Sequence, residues 1–218
     1  MISIRNLKFN YPGGDFQLDI PEFEVAGGEK VAVIGPSGSG KTTLLNLLAG
    51  IILPLRGSVD LSDVRVSEMR DMGRRDFRIT NIGLVFQDFE LLDYLNVLDN
   101  MLHPYRITSA LRLNSDIKER AAGLAGEMGI GDKLKRRVED LSQGEKQRTA
   151  ICRALLPRPK LILADEATGN LDPDNKTLIL DLLFRAVEDH GTTLLAVTHD
   201  HELLARFDRV IDFKGFRN

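Results

Sequence analysis

The sequence predicts an α/β fold: a mixed or parallel core sheet, an antiparallel β-subdomain at the N-terminus and an α-helical subdomain inserted into the core. Three observations predict it. Four short runs, KVAVIG (30–35), NIGLVFQ (81–87), LILADE (161–166) and TLLAVTH (193–199), are apolar along their length, as strands covered on both faces must be. SIRNLKFNY (3–11) and FQLDIPEFEV (16–25) instead alternate apolar and polar positions, the pattern of half-exposed antiparallel strands. From about Asp88 to Pro157 strand signals stop and the composition turns helical.

Taken in order, Pro12-Gly13-Gly14 supplies the turn between the two alternating strands. The first apolar run leads into the helical stretch TTLLNLLAG (42–50). IKERAAGLAGEMGI (117–130) and QGEKQRTAICRALL (143–156) are the clearest helices of the insertion, and the two prolines of LPRPK (156–160) end it. The expected organisation is one domain over 1–218, with 1–87 and 158–218 forming the α/β core and 88–157 the helical subdomain. No internal repeat or low-complexity segment interrupts this reading.

Bulk properties narrow the function. Among 218 residues the formal charge is −3, which gives no support for non-specific nucleic-acid binding, a function that needs a basic face, and no nucleic-acid partner is expected. A single cysteine, Cys152, permits no intrachain disulfide. The start, MISIRNLKFN, lacks the apolar centre of a signal peptide. The most apolar run, LLNLLAGIILPL (44–55), is twelve residues broken by Asn46, Gly50 and Pro54, short of the roughly twenty that span a bilayer. A cytoplasmic chain is expected, reaching a membrane only through a partner. The basic runs RDMGRRDFR (70–78) and KLKRR (133–137) are expected to be solvated faces, and His103, His190, His201 and Cys152 ordinary packing or surface residues.

GPSGSGKTT (35–43) carries the chemistry. Gly35 to Thr42 fit G-x-x-x-x-G-K-[ST] without mismatch, after a strand and before a helix, which is the context a phosphate-binding loop requires. Its residues Gly35, Pro36, Ser37, Gly38, Ser39, Gly40, Lys41, Thr42 and Thr43 are the expected phosphate cradle: backbone N–H groups turn inward at a helix N-terminus, Lys41 reaches the β- and γ-phosphates, and Thr42 ligates Mg²⁺. LILADE supplies two carboxylates after an apolar strand, Asp165 to hold Mg²⁺ and Glu166 to polarise an attacking water. Gln87 and His199 end the other two runs, and in open parallel sheets ligands bind beyond the carboxyl ends of the strands.

A second anion-friendly turn stands at LSQGEKQR (141–148). Ser142 and Glu145 form an S-x-x-E capping box preceded by Leu141, and Gly144 leaves the first turn without a side chain. This stretch resembles the signature motif of the ATP-binding cassette (ABC) ATPases, usually LSGGQ followed by basic and Gln residues. That resemblance implies the P-loop NTPase fold of ABC ATPases, with ATP and Mg²⁺ as ligands. It also implies a head-to-tail homodimer in which Ser142, Gln143 and Gly144 of one copy close on the γ-phosphate held by the other. Tyr11, twenty-four residues before Gly35, resembles the aromatic that stacks on adenine. Gln87 resembles the glutamine that senses Mg²⁺ and the water, Glu166 the general base, Asp172 of NLD the residue that acts across the dimer, and His199 the contact to the γ-phosphate.

ADEATGNLD and IGLVFQDFELLDYLNVLDNM resemble the branch holding lipoprotein-releasing, macrolide-exporting and division-associated ATPases. The branch implies a separate transmembrane permease whose cytoplasmic helix meets the 87–105 segment, on the inner face of the plasma membrane. Two classes remain, a transport subunit and a regulator of an extracellular hydrolase through a membrane partner. DNA-repair ATPases with this architecture carry a long coiled coil, absent from the hundred residues between Lys41 and Leu141. The signature departs from the usual pattern at Gln143 and Glu145; a Glu145 carboxylate near the γ-phosphate is expected to weaken closure on ATP and slow turnover, and nothing in the sequence explains Ala167 where proline commonly follows the base.

Overall fold

A computed structural model of the chain describes residues 1–169, 171 and 173–216. Among the described residues, nine strands form two sheets. The first is antiparallel, in the order β2-β1-β4-β5, from β1 (Ile2–Asn10), β2 (Gln17–Val25), β4 (Arg56–Leu61) and β5 (Val64–Arg65). The second is wholly parallel, in the order β6-β7-β8-β3-β9, from β3 (Lys30–Ile34), β6 (Ile82–Val85), β7 (Leu161–Asp165), β8 (Thr193–Val197) and β9 (Arg209–Asp212). The four apolar runs are four of those five parallel strands, as their two-sided burial requires.

Alternation sorts the parallel strands between two cores. Val31, Val33, Leu161, Leu163, Leu195 and Val197 join the antiparallel sheet and α1 (Lys41–Leu48) in one apolar cluster. Ala32, Ile162, Ala164, Leu194 and Ala196 face the other way, against α5 (Gln143–Leu155) and α6 (Pro173–His190). The period-2 geometry of a strand makes this three-layer packing. The elements between Asp88 and Pro157 are helical: α3 (Val97–Leu102), α4 (Ser115–Glu127), α5 and short 3₁₀ turns. Asn96 and Asn114 cap α3 and α4 by accepting backbone N–H groups, and the buried Asn100 side chain ties the loop at Leu92 to α3.

One correction concerns the basic run at 70–78. It is not simply a solvated face but most of a helix, α2 (Asp71–Asn81). Arg74 turns inward, donating to the carbonyls of Gly50 at 3.0 Å and Met69 at 2.8 Å, and Arg78 donates to the Ala49 carbonyl at 3.2 Å. The Ala49 and Gly50 carbonyls lie where α1 ends and has no further turn to satisfy them. Burial, with Arg75 and Arg74 nearby, holds the Arg78 pKa below its usual value. Of the second run, Lys133 is half-buried beside Asp132, whereas Lys135, Arg136 and Arg137 are exposed as expected.

Gly57 shows where the antiparallel sheet tolerates no side chain. The register of β1 against β4 shifts between Arg5 and Lys8, and Asn6 is left-handed at φ 48°. A Cβ on Gly57, itself at φ +81°, would lie 2.4 Å from the Asn6 carbonyl oxygen and 2.5 Å from that of Arg5. Both obstacles are backbone. Gly57→Ala is expected to cost about 3 kcal/mol, which lowers Tm by roughly 6–12 °C in a chain of this size. Thermal unfolding by circular dichroism checks it.

Candidate nucleotide site

Register brings the candidate residues together. Asp165 pairs with Val197, Val33 also pairs with Val197, and Ile34 pairs with Asp212, so β7, β8, β3 and β9 end at one level. The residues that follow, Gly35, Glu166 and His199, therefore emerge on one edge of the sheet. There a hollow of about 570 Å³ is lined by Tyr11, Phe16, Gly35, Ser37, Gly38, Gly40, Lys41, Thr42, Thr43, Asp165, Glu166 and His199.

The loop turns through left-handed glycines, with Gly38 at φ 74°. Gly40, at φ 100°, opens α1 beneath the Phe16 ring. Lys41 is buried, and its Nζ donates to the carbonyl oxygens of Gly35 at 2.8 Å and Pro36 at 3.0 Å. The Pro36 carbonyl also accepts the Ser39 N–H at 3.2 Å, while the buried Ser39 hydroxyl meets no hydrogen-bonding partner among the described residues. Tyr11 and Thr43 share a hydrogen bond of 3.2 Å, which fixes the Tyr11 ring beside α1. That ring stands edge-on to Phe9, with centroids 4.8 Å apart, and keeps 40% of its surface exposed, enough to receive a flat ligand.

The two carboxylates sit in different environments. Burial raises the Asp165 pKa above the usual carboxylate range; a bond from the Thr42 hydroxyl opposes the shift, and Glu166 adds to it. A desolvated carboxylate touching a hydroxyl gives the hard oxygen donors Mg²⁺ takes, and no cluster of His, Cys, Asp and Glu among the described residues could hold a metal alone. That combination fits a cation bound by one or two side chains together with substrate phosphates. Glu166 is left-handed at φ 47°, an unfavourable conformation for a non-glycine residue. Its N–H bonds to the Val197 carbonyl at 3.0 Å, and its Oε2 lies 3.3 Å from His199 Nδ1. The strained turn aims the carboxylate into the hollow instead of back along the strand.

Not every expected residue lines this space. The Gln87 amide approaches Gly169, its Nε2 3.3 Å from where a Cβ there would sit, and does not line the hollow. Asp172 lies outside the described residues. Ser142, Gln143 and Gly144 are absent from the lining as well. Conversely, Phe16 is a lining residue the sequence reading passed over as part of a strand; the signal was a second aromatic closing the turn that Tyr11 opens.

At the second turn both halves of the capping box form. Ser142 Oγ accepts the Glu145 N–H at 3.3 Å, and Glu145 Oε2 accepts the Ser142 N–H at 2.8 Å. The backbone bond from Ser142 chiefly holds the Glu145 pKa below its usual value, so the carboxylate stays charged at neutral pH. Ser142→Ala removes one cap bond and is expected to cost about 1 kcal/mol, read as a small drop in Tm. Burial pushes the Cys152 thiol pKa up, so this buried thiol is inert, in keeping with a packing role.

A larger hollow lies elsewhere, a groove of about 960 Å³ between α2 and the helical insertion, lined in part by Ile51, Met72, Ile79, Phe86, His103 and Ile107. Its lining also carries Asp71, Arg75, Asp76, Glu90 and Arg153, and it holds no phosphate loop.

Comparison with known proteins agrees with this geometry. The family described as "ABC transporter" matches residues 18–169. The lipoprotein-releasing system ATP-binding protein LolD of Hydrogenovibrio crunogenus is 38% identical over 212 residues, covering 96% of this chain and 91% of that protein. The macrolide export ATP-binding/permease protein MacB of Rhodopirellula baltica is 42% identical over 98% of this chain, which spans 32% of that longer relative. A solved dimeric ATP-binding cassette in a post-hydrolysis state, bound to ADP and Pi, superposes with a TM-score of 0.87 at 30% identity, over 97% of this chain and 94% of that one. With its phosphate loop, paired carboxylates and capped signature helix in this arrangement, the chain belongs to the ABC transporter family of ATP-binding cassettes.

Proposed function

We propose that the chain is an ATP-hydrolysing subunit that acts as a head-to-tail homodimer and drives a separate transmembrane partner. One observation carries the reading. Lys41, Asp165, Glu166 and His199 share one hollow, whereas the signature residues Ser142, Gln143 and Gly144 lie outside it. A cassette built this way has one incomplete half-site and one unused cap, and a second copy completes both.

Within the site, backbone N–H groups of residues 38–43 and the Lys41 ammonium bind the phosphates, and Tyr11 with Phe16 offers an aromatic wall to the base. Thr42 and Asp165, with Gln87, would hold Mg²⁺, which supplies positive charge to the phosphates when bound. Glu166 accepts a proton from the water that attacks the γ-phosphorus, and His199, 3.3 Å away, orients that carboxylate and contacts the γ-phosphate. Asp172 acts across the dimer. The partner's Ser142, Gln143 and Gly144 close the site.

No helix among the described residues is long and apolar enough to cross a membrane. The groove beside α2 suits a partner's cytoplasmic helix: Met72 and Ile107 are 77% and 61% exposed, and Phe86, Glu90, His103 and Pro104 of its lining fall in or beside the 87–105 segment. Residues 88–157 then move as a unit against the core when ATP closes the dimer. The LolD and MacB similarities favour export or lipoprotein release at the inner face of the plasma membrane; control of a cell-wall hydrolase through a membrane partner is the other reading within the branch. Size-exclusion chromatography of Glu166→Gln with ATP and Mg²⁺ tests the dimer: a shift to twice the monomer mass supports it, and a monomer at saturating ATP opposes it.

A further inference from the structure

The signature turn is seated on a residue of α6, and this contact has no place in the site described above. A Cβ on Gly144 would stand 2.9 Å from Asn175 Oδ1 and 3.2 Å from its Cγ. An amide at the end of a side chain could ordinarily swing aside. Here it is tied, because Arg148 Nη1, one turn along α5, donates to the same Oδ1 at 3.0 Å. Arg148 Nη1 would itself stand 3.4 Å from that Cβ, so the guanidinium packs against the same space. Gly144 is buried although it belongs to the first turn of its helix. Asn175 lies near the start of α6, three positions after Asp172, so the tie runs from the signature helix to the helix that follows the NLD stretch.

We infer that Asn175 and Arg148 are positioning residues that set the signature turn at a fixed distance from α6, and that Gly144 lacks a side chain chiefly because Asn175 occupies that space. The inference rests on the proposed head-to-tail dimer, since only there does the placement of the signature affect ATP. It differs from the simpler view that the glycine clears room for the other copy's phosphate. If Gly144 serves the incoming phosphate, a methyl group there harms closure whatever stands at position 175. If it serves Asn175, trimming Asn175 relieves the harm.

The test is a double-mutant cycle in the Glu166→Gln background. Its readout is the ATP concentration giving half-maximal dimer by analytical ultracentrifugation, alongside fluorescent-nucleotide affinity of the monomer and Tm. Gly144→Ala is expected to raise the half-point about tenfold, the scale of overpacking a rigid contact. Gly144→Ala with Asn175→Ala is expected to return close to the Asn175→Ala single variant. Asn175→Ala alone should leave monomer nucleotide affinity unchanged, a split that general loss of fold does not produce. A double variant as defective as Gly144→Ala alone overturns the inference. Should Gly144→Ala fail to fold, Arg148→Ala and Asn175→Ala take its place: effects on the half-point that do not add support the tie, and independent, additive effects overturn it. A Glu166→Gln protein that never dimerises defeats the proposed function instead, and the Tm cycle between positions 144 and 175 then decides the contact by the same rule of rescue.

Discussion

Lys41→Ala is expected to abolish nucleotide binding, weakening it by about 100-fold or more. Among the described residues the Lys41 ammonium is the only lysine head group lining the hollow, and it donates to the Gly35 and Pro36 carbonyls. On the proposed binding mode, phosphate oxygens accept in place of those two neutral carbonyls. Charge-assisted hydrogen bonds contribute roughly 1.5–3 kcal/mol each, so losing two of them reaches that hundredfold scale, at 1.4 kcal/mol per decade. The fold should survive, since the bonds lost on the protein side involve loop carbonyls that water can satisfy. Equilibrium binding of a fluorescent ATP analogue, with circular dichroism as the control, reads both halves of the prediction. Binding within threefold of the wild type would remove Lys41 from the site.

Glu166→Gln is expected to separate binding from chemistry. Glutamine keeps the shape of the side chain, can adopt the same left-handed backbone and can still bond His199, but it takes no proton. Removing a general base costs typically about 100- to 10,000-fold in rate, so single-turnover phosphate release should fall by at least two orders of magnitude while ATP affinity holds. Hydrolysis at the wild-type rate by this variant would mean that another group accepts the proton. His199 would be the next residue to consider, because its Nδ1 lies 3.3 Å from the same carboxylate.

Much of this site could be read before any coordinates because its parts are local. Strands covered on both faces announce themselves as unbroken apolar runs, and a parallel sheet in register puts their ends on one edge. Gly35, Asp165, Glu166 and His199 were therefore predictable as a group. The same holds for Ser142 and Glu145, whose bonds lie within four residues of each other. What escaped was held by distant or unusual contacts. The α2 segment DMGRRDFRITN has only three apolar side chains, Met72, Phe77 and Ile79, and it folds as a helix with Arg74 and Arg78 reaching the end of α1, twenty-four residues or more away. The strand RGSVDL is short, polar at its start and dependent on Gly57 fitting against Arg5 and Asn6. Phe16 and Asn175 act through neighbours far along the chain, which composition and periodicity do not encode.

That the catalytic site is divided between two copies is tested most directly by mixing two disabled proteins. Lys41→Ala spoils the phosphate loop and leaves the signature intact. Ser142→Asp does the reverse: aspartate caps a helix as well as serine does, but its charge opposes the approaching γ-phosphate. Each variant alone should be inactive. Mixed in equal amounts with ATP and Mg²⁺, they can form a heterodimer in which one sound loop faces one sound signature, and ATPase activity should return. A mixture no more active than its separate components would show that loop and signature serve the same chain, contradicting the account.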